Sequence, residues 1–307
     1  MQNLKTKGYY DLNIHKSCFE NEFNESFLKI LYSFGYRTIA ISQTIEDTNL
    51  EPKSKKKKKG ESRDLFDVVP DPLEVDVLKK TASRLGLTDF TFLTRLTIKV
   101  TFQENLHRIL KSPNYKKYGL VGFVPMTHTA FMFVCSNVEA DIISFDPENK
   151  IPIRLSRKVY SKLVDKGYHF ELLYGPAIED STKRRNLIQM AHLFHTFGKS
   201  RNIIISSGAV QHNLIRSPYD IINLGLLYGL NELQSRNAVL FCPRNVIVNS
   251  VGRRHGKAVM LIENVVSEES AEEILNIDDS DDADMEVDEP AAKKSKSVTE
   301  NSDKNIS

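Results

Sequence analysis

The sequence predicts an α/β fold, a TIM-like barrel of parallel strands wrapped by helices. Three observations lead there. Seven apolar runs of strand length alternate with segments of helical period along the 307 residues, the pattern of repeated strand–helix units on a parallel sheet. Their number and even spacing favour a closed barrel over an open doubly wound sheet. No Gly-x-Gly-x-x-Gly follows the first run, so a dinucleotide-binding fold loses support.

The elements follow in order. The first strand, 9–13, lies within GYYDLNIH and ends near Asp11 and Asn13, with His15 just beyond. Phe23, Phe27, Leu31 and Phe34 then mark one face of a helix, which Gly35 stops. RTIAIS (37–42) is the second strand, and Asp71-Pro72 opens a helix that ends near Gly86. RLTIKV (95–100) is the third strand, followed by a helix over 103–111. LVGFV (120–124) and DIISF (141–145) are the fourth and fifth. A helix over 156–166 leads to HFELL (169–173), and one over 182–198 to NIIIS (202–206). Asp180 or Ser181 caps the helix over 182–198. Ser217-Pro218-Tyr219-Asp220 starts a further helix, with Ser at the N-cap, Pro at N1 and an acid at N3. GLVGFVPM and TAFMFVCSNV could form a partner-binding patch or core, and read as core.

The barrel is expected over 1–266, with two segments outside its pattern. Residues 43–70 read as a mobile loop, because KSKKKKK (53–59) places six lysines within seven residues that repel one another. Residues 267–307 read as a disordered acidic tail. That tail carries 14 acidic and 4 basic residues, which leaves 38 basic and 26 acidic residues in 1–266. The net charge of +2 therefore conceals a basic body, which suits a polyanionic partner, nucleic acid first. KSKKKKK and KKSK also match short patterns read by nuclear import. No run approaches the roughly 18 apolar residues of a membrane span, and MQNLKTKGYY lacks the apolar block of a signal peptide. Cys18, Cys135 and Cys242 are three and far apart, which fits a reducing compartment and argues against a disulfide framework.

The first strand poses a question of metal chemistry. An Asp-x-His-x-His pattern there would need His at 13; Asn13 is a neutral amide, so Asp11 and His15 remain too few for two metals. His192 and His195 stand three apart on a predicted helix and read as packed or solvated rather than as ligands. No metal is expected. The basic residues say more. Lys183, Arg184 and Arg185 crowd a helix start, where the dipole prefers anions. A phosphate bound there on free backbone N–H groups is the preferred reading; the alternative is that Glu179, Asp180 and nearby carboxylates neutralise them. Arg216 precedes the next helix, so Arg184, Arg185 and Arg216 are expected to share one rim of the barrel. Arg236, Arg244, Arg253, Arg254 and Lys257 extend the basic character. In RLTIKV, Arg95, Thr97 and Lys99 share one face although barrel strands bury both. Arg95 either joins Asp11 and Glu171 in an ion network inside the barrel or reaches the rim and touches RNA. The internal network is the preferred reading.

FLTRLTIKV (92–100), FELLYGPAIEDSTKRRN (170–186), NIIISSGA (202–209) and IRSPYDIINLGLLYGL (215–230) are similar to strings of the thirty-kilodalton protein subunit of eukaryotic ribonuclease P. The likeness runs over most of 8–250. After Arg244, VIVNSVGRRHGK departs from the family's His-Gly-Glu string. The resemblance implies a barrel like that of the polymerase and histidinol phosphatase type of phosphoesterase, without its metal site. It implies a non-catalytic subunit of a ribonucleoprotein that removes the 5′ leader of precursor tRNA. The RNA component would carry the Mg2+ and the chemistry, so no cofactor is bound by this chain. Implied partners are the ribonuclease P and MRP RNAs, a small subunit of RRM-like fold and other subunits of the particle, with a location in the nucleus and nucleolus. A metal-dependent phosphoesterase and an RNA-free interaction scaffold are the competing readings.

Overall fold

Among the described residues, seven parallel strands follow one another in chain order. The computed structural model describes residues 8–20, 24–49, 68–149 and 153–255. The strands are β1 (Tyr9–His15), β2 (Tyr36–Glu46), β3 (Thr91–Val100), β4 (Leu120–Pro125), β5 (Ile142–Ile143), β6 (His169–Leu173) and β7 (Ile203–Ser206). Each pairs in parallel with the next. The helices between them are α1 (Asn24–Ser33), α2 (Val75–Arg84), α3 (Gln103–Leu110), α4 (His128–Asn137) and α5 (Arg157–Asp165). After β6 come α6 (Tyr174–Glu179) and α7 (Ser181–Gly198), and after β7 come α8 (Pro218–Leu227), α9 (Glu232–Asn237) and α10 (Phe241–His255).

The seam between β1 and β7 closes at two levels. Gly208 N donates to the Asn13 carbonyl at 2.8 Å and His15 N donates to the Ala209 carbonyl at 2.9 Å, around a parallel bridge between Ile14 and Ala209. Closer to the N-terminal end, Tyr10 N donates to the Val239 carbonyl at 3.3 Å and Ile205 N to the Ala238 carbonyl at 3.1 Å. The stretch after α9 thus takes the place of an eighth strand. Buried backbone groups need such partners, and this stretch answers the edges that a seven-stranded sheet would leave open. Val246 and Ile247 of α10 pack with Tyr10, Leu12, Ala40, Leu120, Ile142 and Ile204 from five strands. A helix therefore plugs the N-terminal mouth.

Local signals explain most elements. Phe27 and Leu31 are buried on one face of α1, and Gly35 follows with φ +94°, a left-handed conformation suited to glycine. The Thr127 side chain caps α4 and the Ser156 side chain caps α5. Asn231 and Gln234 form a reciprocal capping box on α9.

Several boundaries differ from the expectation. β2 runs on through Glu46, and Asp47–Asn49 form a 3-10 turn, so the loop expected over 43–70 gives up its first seven residues. Polar side chains that suggested a loop find partners here. Gln43 accepts from the Tyr118 hydroxyl at 2.8 Å, and buried Asp47 accepts from the amides of Thr101 (2.7 Å) and Phe102 (2.5 Å). β3 starts four residues earlier than expected, because Thr91–Thr94 pair with Thr38–Ile41 of β2; the added end of β2, Gln43–Glu46, pairs with Leu96–Lys99. β5 shrinks to two residues; the Asp141 carboxylate before it is taken by Arg253 and the Val121 amide. The helix expected from Asp71 starts at Val75. Ser217 sits at the N-cap of α8, but its hydroxyl makes no capping bond. Phe23, the lysine run 53–59, Lys257 and the tail 267–307 lie outside the described residues.

Candidate nucleic-acid interface and the charged barrel interior

Arg95 of β3 and Glu171 of β6 meet inside the barrel, both side chains with no exposed surface. The contact is bidentate: Nη1 donates to Oε1 at 2.5 Å and Nη2 to Oε2 at 2.6 Å. Nη1 also donates to the Leu12 carbonyl at 2.8 Å and Nε to the Thr97 hydroxyl at 3.0 Å. Thr97 in turn bonds Ser42 at 2.9 Å. β4 makes room: a Cβ on Gly122 would sit 2.9 Å from Nη2 of Arg95. Burial alone would raise the Glu171 carboxyl, but the Arg95 guanidinium outweighs it and holds the group below the ordinary glutamate range. Of the face shared by Arg95, Thr97 and Lys99, the first two line the interior. Lys99 emerges at the end of β3 and pairs with Glu46 at 2.9 Å.

Asp11 stands beside this pair rather than in it. Its Oδ1 accepts from the amides of Asn13 at 3.1 Å and Ser207 at 3.2 Å, while Oδ2 is buried and has no hydrogen-bond partner among the described residues. Burial pushes the Asp11 carboxyl up to about 6, against those hydrogen bonds, and the nearby Glu171 adds to the rise. The link from β1 to the ion pair is Asn13, whose Nδ2 donates to Glu171 Oε2 at 3.3 Å. The expected three-residue network is thereby corrected. Ser207, reached only when the chain returns after β7, takes the Asp11 carboxylate through its backbone amide.

The same contacts determine what β1 offers a metal. Asn13 is an amide turned to Glu171, and His15 Nδ1 faces the Ser17 hydroxyl at 2.9 Å. His192 and His195 are exposed on α7, with His195 Nδ1 near the Ser200 hydroxyl at 3.3 Å. Among the described residues, no three His, Cys, Asp or Glu side chains gather where they could hold a metal ion.

The basic residues divide between two ends of the barrel. α7 begins at the C-terminal end, after β6. Asp180 accepts from the amides of Thr182 and Lys183, both at 2.8 Å, so the helix start already carries its own carboxylate. Two of the amides expected to be free for a phosphate are therefore already bonded to this cap. The hydrogen bond from the Lys183 amide, foremost, holds the Asp180 carboxyl below its usual range. Lys183 pairs with Glu148 at 2.9 Å. Arg184 Nε donates to the Ala177 carbonyl at 2.7 Å, at the far end of α6. Arg185 is exposed and makes no ion pair or side-chain hydrogen bond among the described residues. Arg216 Nη1 donates to the carbonyls of Asn213 (2.7 Å) and Ile215 (3.0 Å). Two tyrosines that the sequence did not single out hold its backbone: Tyr36 donates to the Arg216 carbonyl at 2.9 Å, and the Tyr174 hydroxyl accepts from its amide at 3.2 Å. Arg184 and Arg216 thus flank opposite ends of α6, with Arg185 beside the former. Arg236 lies on α9, paired with Glu232 at 3.8 Å, and Arg244 is half-buried on α10. Neither joins the group around α6.

The family model described as RNase P subunit p30 matches residues 8–255. The chain belongs to that family. The match to the p30 family extends past Arg244, into the string that departs from the expected pattern, to the last residue of α10. The mouse relative named ribonuclease P protein subunit p30 is 36% identical over 163 residues, 53% of this chain and 61% of that protein. The Saccharomyces cerevisiae relative named ribonuclease P/MRP protein subunit RPP1 is 23% identical over 203 residues, 65% of this chain and 64% of that protein. The chain thus spans less than two thirds of the length of these relatives. A chain of an archaeal ribonuclease P cryo-EM structure with mature tRNA shares the fold of this p30 family member. Its TM-score is 0.54 at 14% identity, covering 85% of this chain and 99% of that chain.

Proposed function

We propose that this chain is a non-catalytic protein subunit of a ribonuclease P ribonucleoprotein, supporting removal of the 5′ leader from precursor tRNA by the RNA component. The observation that carries this reading is the family match over the whole described barrel. The donor set at the end of β1 supports the non-catalytic part: an amide bound to Glu171, an Asp held by backbone amides and a His turned to serine are poor ligands for a two-metal phosphoesterase site. Magnesium then belongs to the RNA, and the protein contributes phosphate contacts and docking of other subunits, an RRM-like one among them. A role shared with ribonuclease MRP, in processing ribosomal RNA precursors, is supported by the name of the yeast relative. A nuclear and nucleolar location follows from such a role. The arginines around α6 are the proposed RNA contacts, because they set affinity without reading sequence.

Reconstitution tests the proposal. The full chain, assembled with the RNA component and the remaining subunits, is expected to raise leader removal, whereas the chain alone cleaves no precursor with Mg2+ or Mn2+ present. Log affinity for the RNA should fall linearly with log salt, and Arg185→Gln should flatten that slope by about one unit. Chelator-sensitive cleavage by the isolated chain that requires Asp11 would overturn the reading, and an unchanged slope would remove Arg185 from the interface.

A further inference from the structure

At the N-terminal end of the barrel, opposite the start of α7, two cavities adjoin, of about 500 Å3 and about 430 Å3. They share Asn137, Glu139 and Arg253; the larger adds Tyr115, Lys116 and Arg254. The two consecutive arginines at the end of α10 are in different states. Arg253 grips Asp141 with Nε at 2.9 Å and Nη2 at 2.8 Å, and Asp141 also accepts from the Val121 amide at 2.8 Å. That pair is self-contained and forms a fixed wall. Among the described residues Arg254 has no such partner, and its Nε is buried without a hydrogen bond. Exposed Lys116, on the same cavity, makes no side-chain hydrogen bond or ion pair among the described residues. One carboxylate, Glu139, lines both cavities; its charge acts on Arg253 and Tyr115.

Arg254 is half-buried and lines the larger cavity, and a guanidinium without a carboxylate partner gains a charge-assisted hydrogen bond when an anion arrives. A guanidinium next to a lysine, in a cavity with the polar groups of Tyr115 and Asn137, matches a phosphate by charge and by the forked geometry of its donors. We propose that this pocket is a second phosphate-binding site, filled by a backbone phosphate of RNA, with Arg254 as principal donor and Lys116 as the second cation. The phosphate chemistry stands on the cavity; that the phosphate belongs to RNA rests on the ribonuclease P reading. The protein would then hold RNA at both ends of the barrel.

The test uses the full chain. Phenylglyoxal labelling of arginines, mapped by mass spectrometry, is run in millimolar inorganic phosphate and in chloride of equal ionic strength. Arg254 should be protected by phosphate, and Lys116→Gln should weaken the protection. With a short RNA duplex, Arg254→Gln should flatten the dependence of log affinity on log salt by about one unit, with Arg254→Lys between it and wild type. Equal labelling of Arg254 in both buffers overturns the proposal. Protection with an unchanged slope overturns its RNA part and leaves a site for free phosphate. If the wild-type chain binds no RNA while phosphate still protects Arg254, the ribonuclease P reading fails and the phosphate chemistry of the pocket stands. Thermal melts of both Arg254 variants matching wild type exclude misfolding as the cause.

Discussion

A guanidinium inside a barrel survives only if its N–H groups are answered, and Arg95 makes four hydrogen bonds there. Removing one partner is worse than removing both, because the remaining charge stays buried. Arg95→Met should therefore lower stability by about 3–5 kcal/mol, whereas Arg95→Met with Glu171→Leu should recover much of the loss. Gly122→Ala, whose Cβ would meet Nη2 at 2.9 Å, should also destabilise the fold. Urea unfolding measures all three; an Arg95→Met chain as stable as wild type would sink the account. Asp11 makes the opposite contribution. Its carboxyl titrates near 6 in the fold, above the ordinary 3.8, so stability present below pH 4 is lost as the pH rises through 6, by about 3 kcal/mol. Glu171, held low, acts in the other direction and in a lower window: its contribution is lost as pH falls below the usual glutamate range. Between pH 4 and 7, Asp11→Asn should gain stability relative to wild type, read as a melting-temperature difference that grows with pH. A constant difference would mean that Asp11 does not carry the titration. Of these residues, Arg95 and Glu171 were legible as charges interrupting apolar strands. The true partner of Asp11 was not, because the Ser207 amide arrives from 196 positions away.

Among the elements, α7 shows how one capping side chain redirects a functional reading. Three cations at a helix start suggest a waiting anion, but Asp180 supplies it from within the chain. Asp180→Ala should lower the melting temperature by a few degrees and at the same time increase affinity for inorganic phosphate, because two first-turn amides are released. Asp180→Asn, which keeps a capping oxygen, should retain most of the stability. Phosphate affinity unchanged by Asp180→Ala would show that those amides are no anion site. The cap itself was readable as Asp before Ser-Thr-Lys. That it is occupied twice, and that Lys183 turns to Glu148, depends on side-chain rotamers and on a loop after β5 that local pattern does not specify. α10 went unread for a related reason. Its sequence, FCPRNVIVNSVGRRH, is broken by Pro, Asn and Gly, and only packing against the strands rewards a helix there.

For the whole molecule, charge and closure are the large-scale facts. The basic excess in 1–266 is a property of composition, but its division between the surroundings of α6 and the pocket beneath α10 is a property of folding. The order and type of the seven strands, the basic body and the family were all present in the sequence, because strand and helix periodicity are local and because the family's strings are long and unusual. Tertiary structure alone decided three matters: that the stretch after α9 stands where an eighth strand would, that Asn13 rather than Asp11 reaches the buried ion pair, and that Arg254, among the described residues, is left without the partner Arg253 has. Each depends on groups far apart in the chain meeting at hydrogen-bond distance, and such meetings follow from how the barrel closes rather than from any run of neighbouring residues.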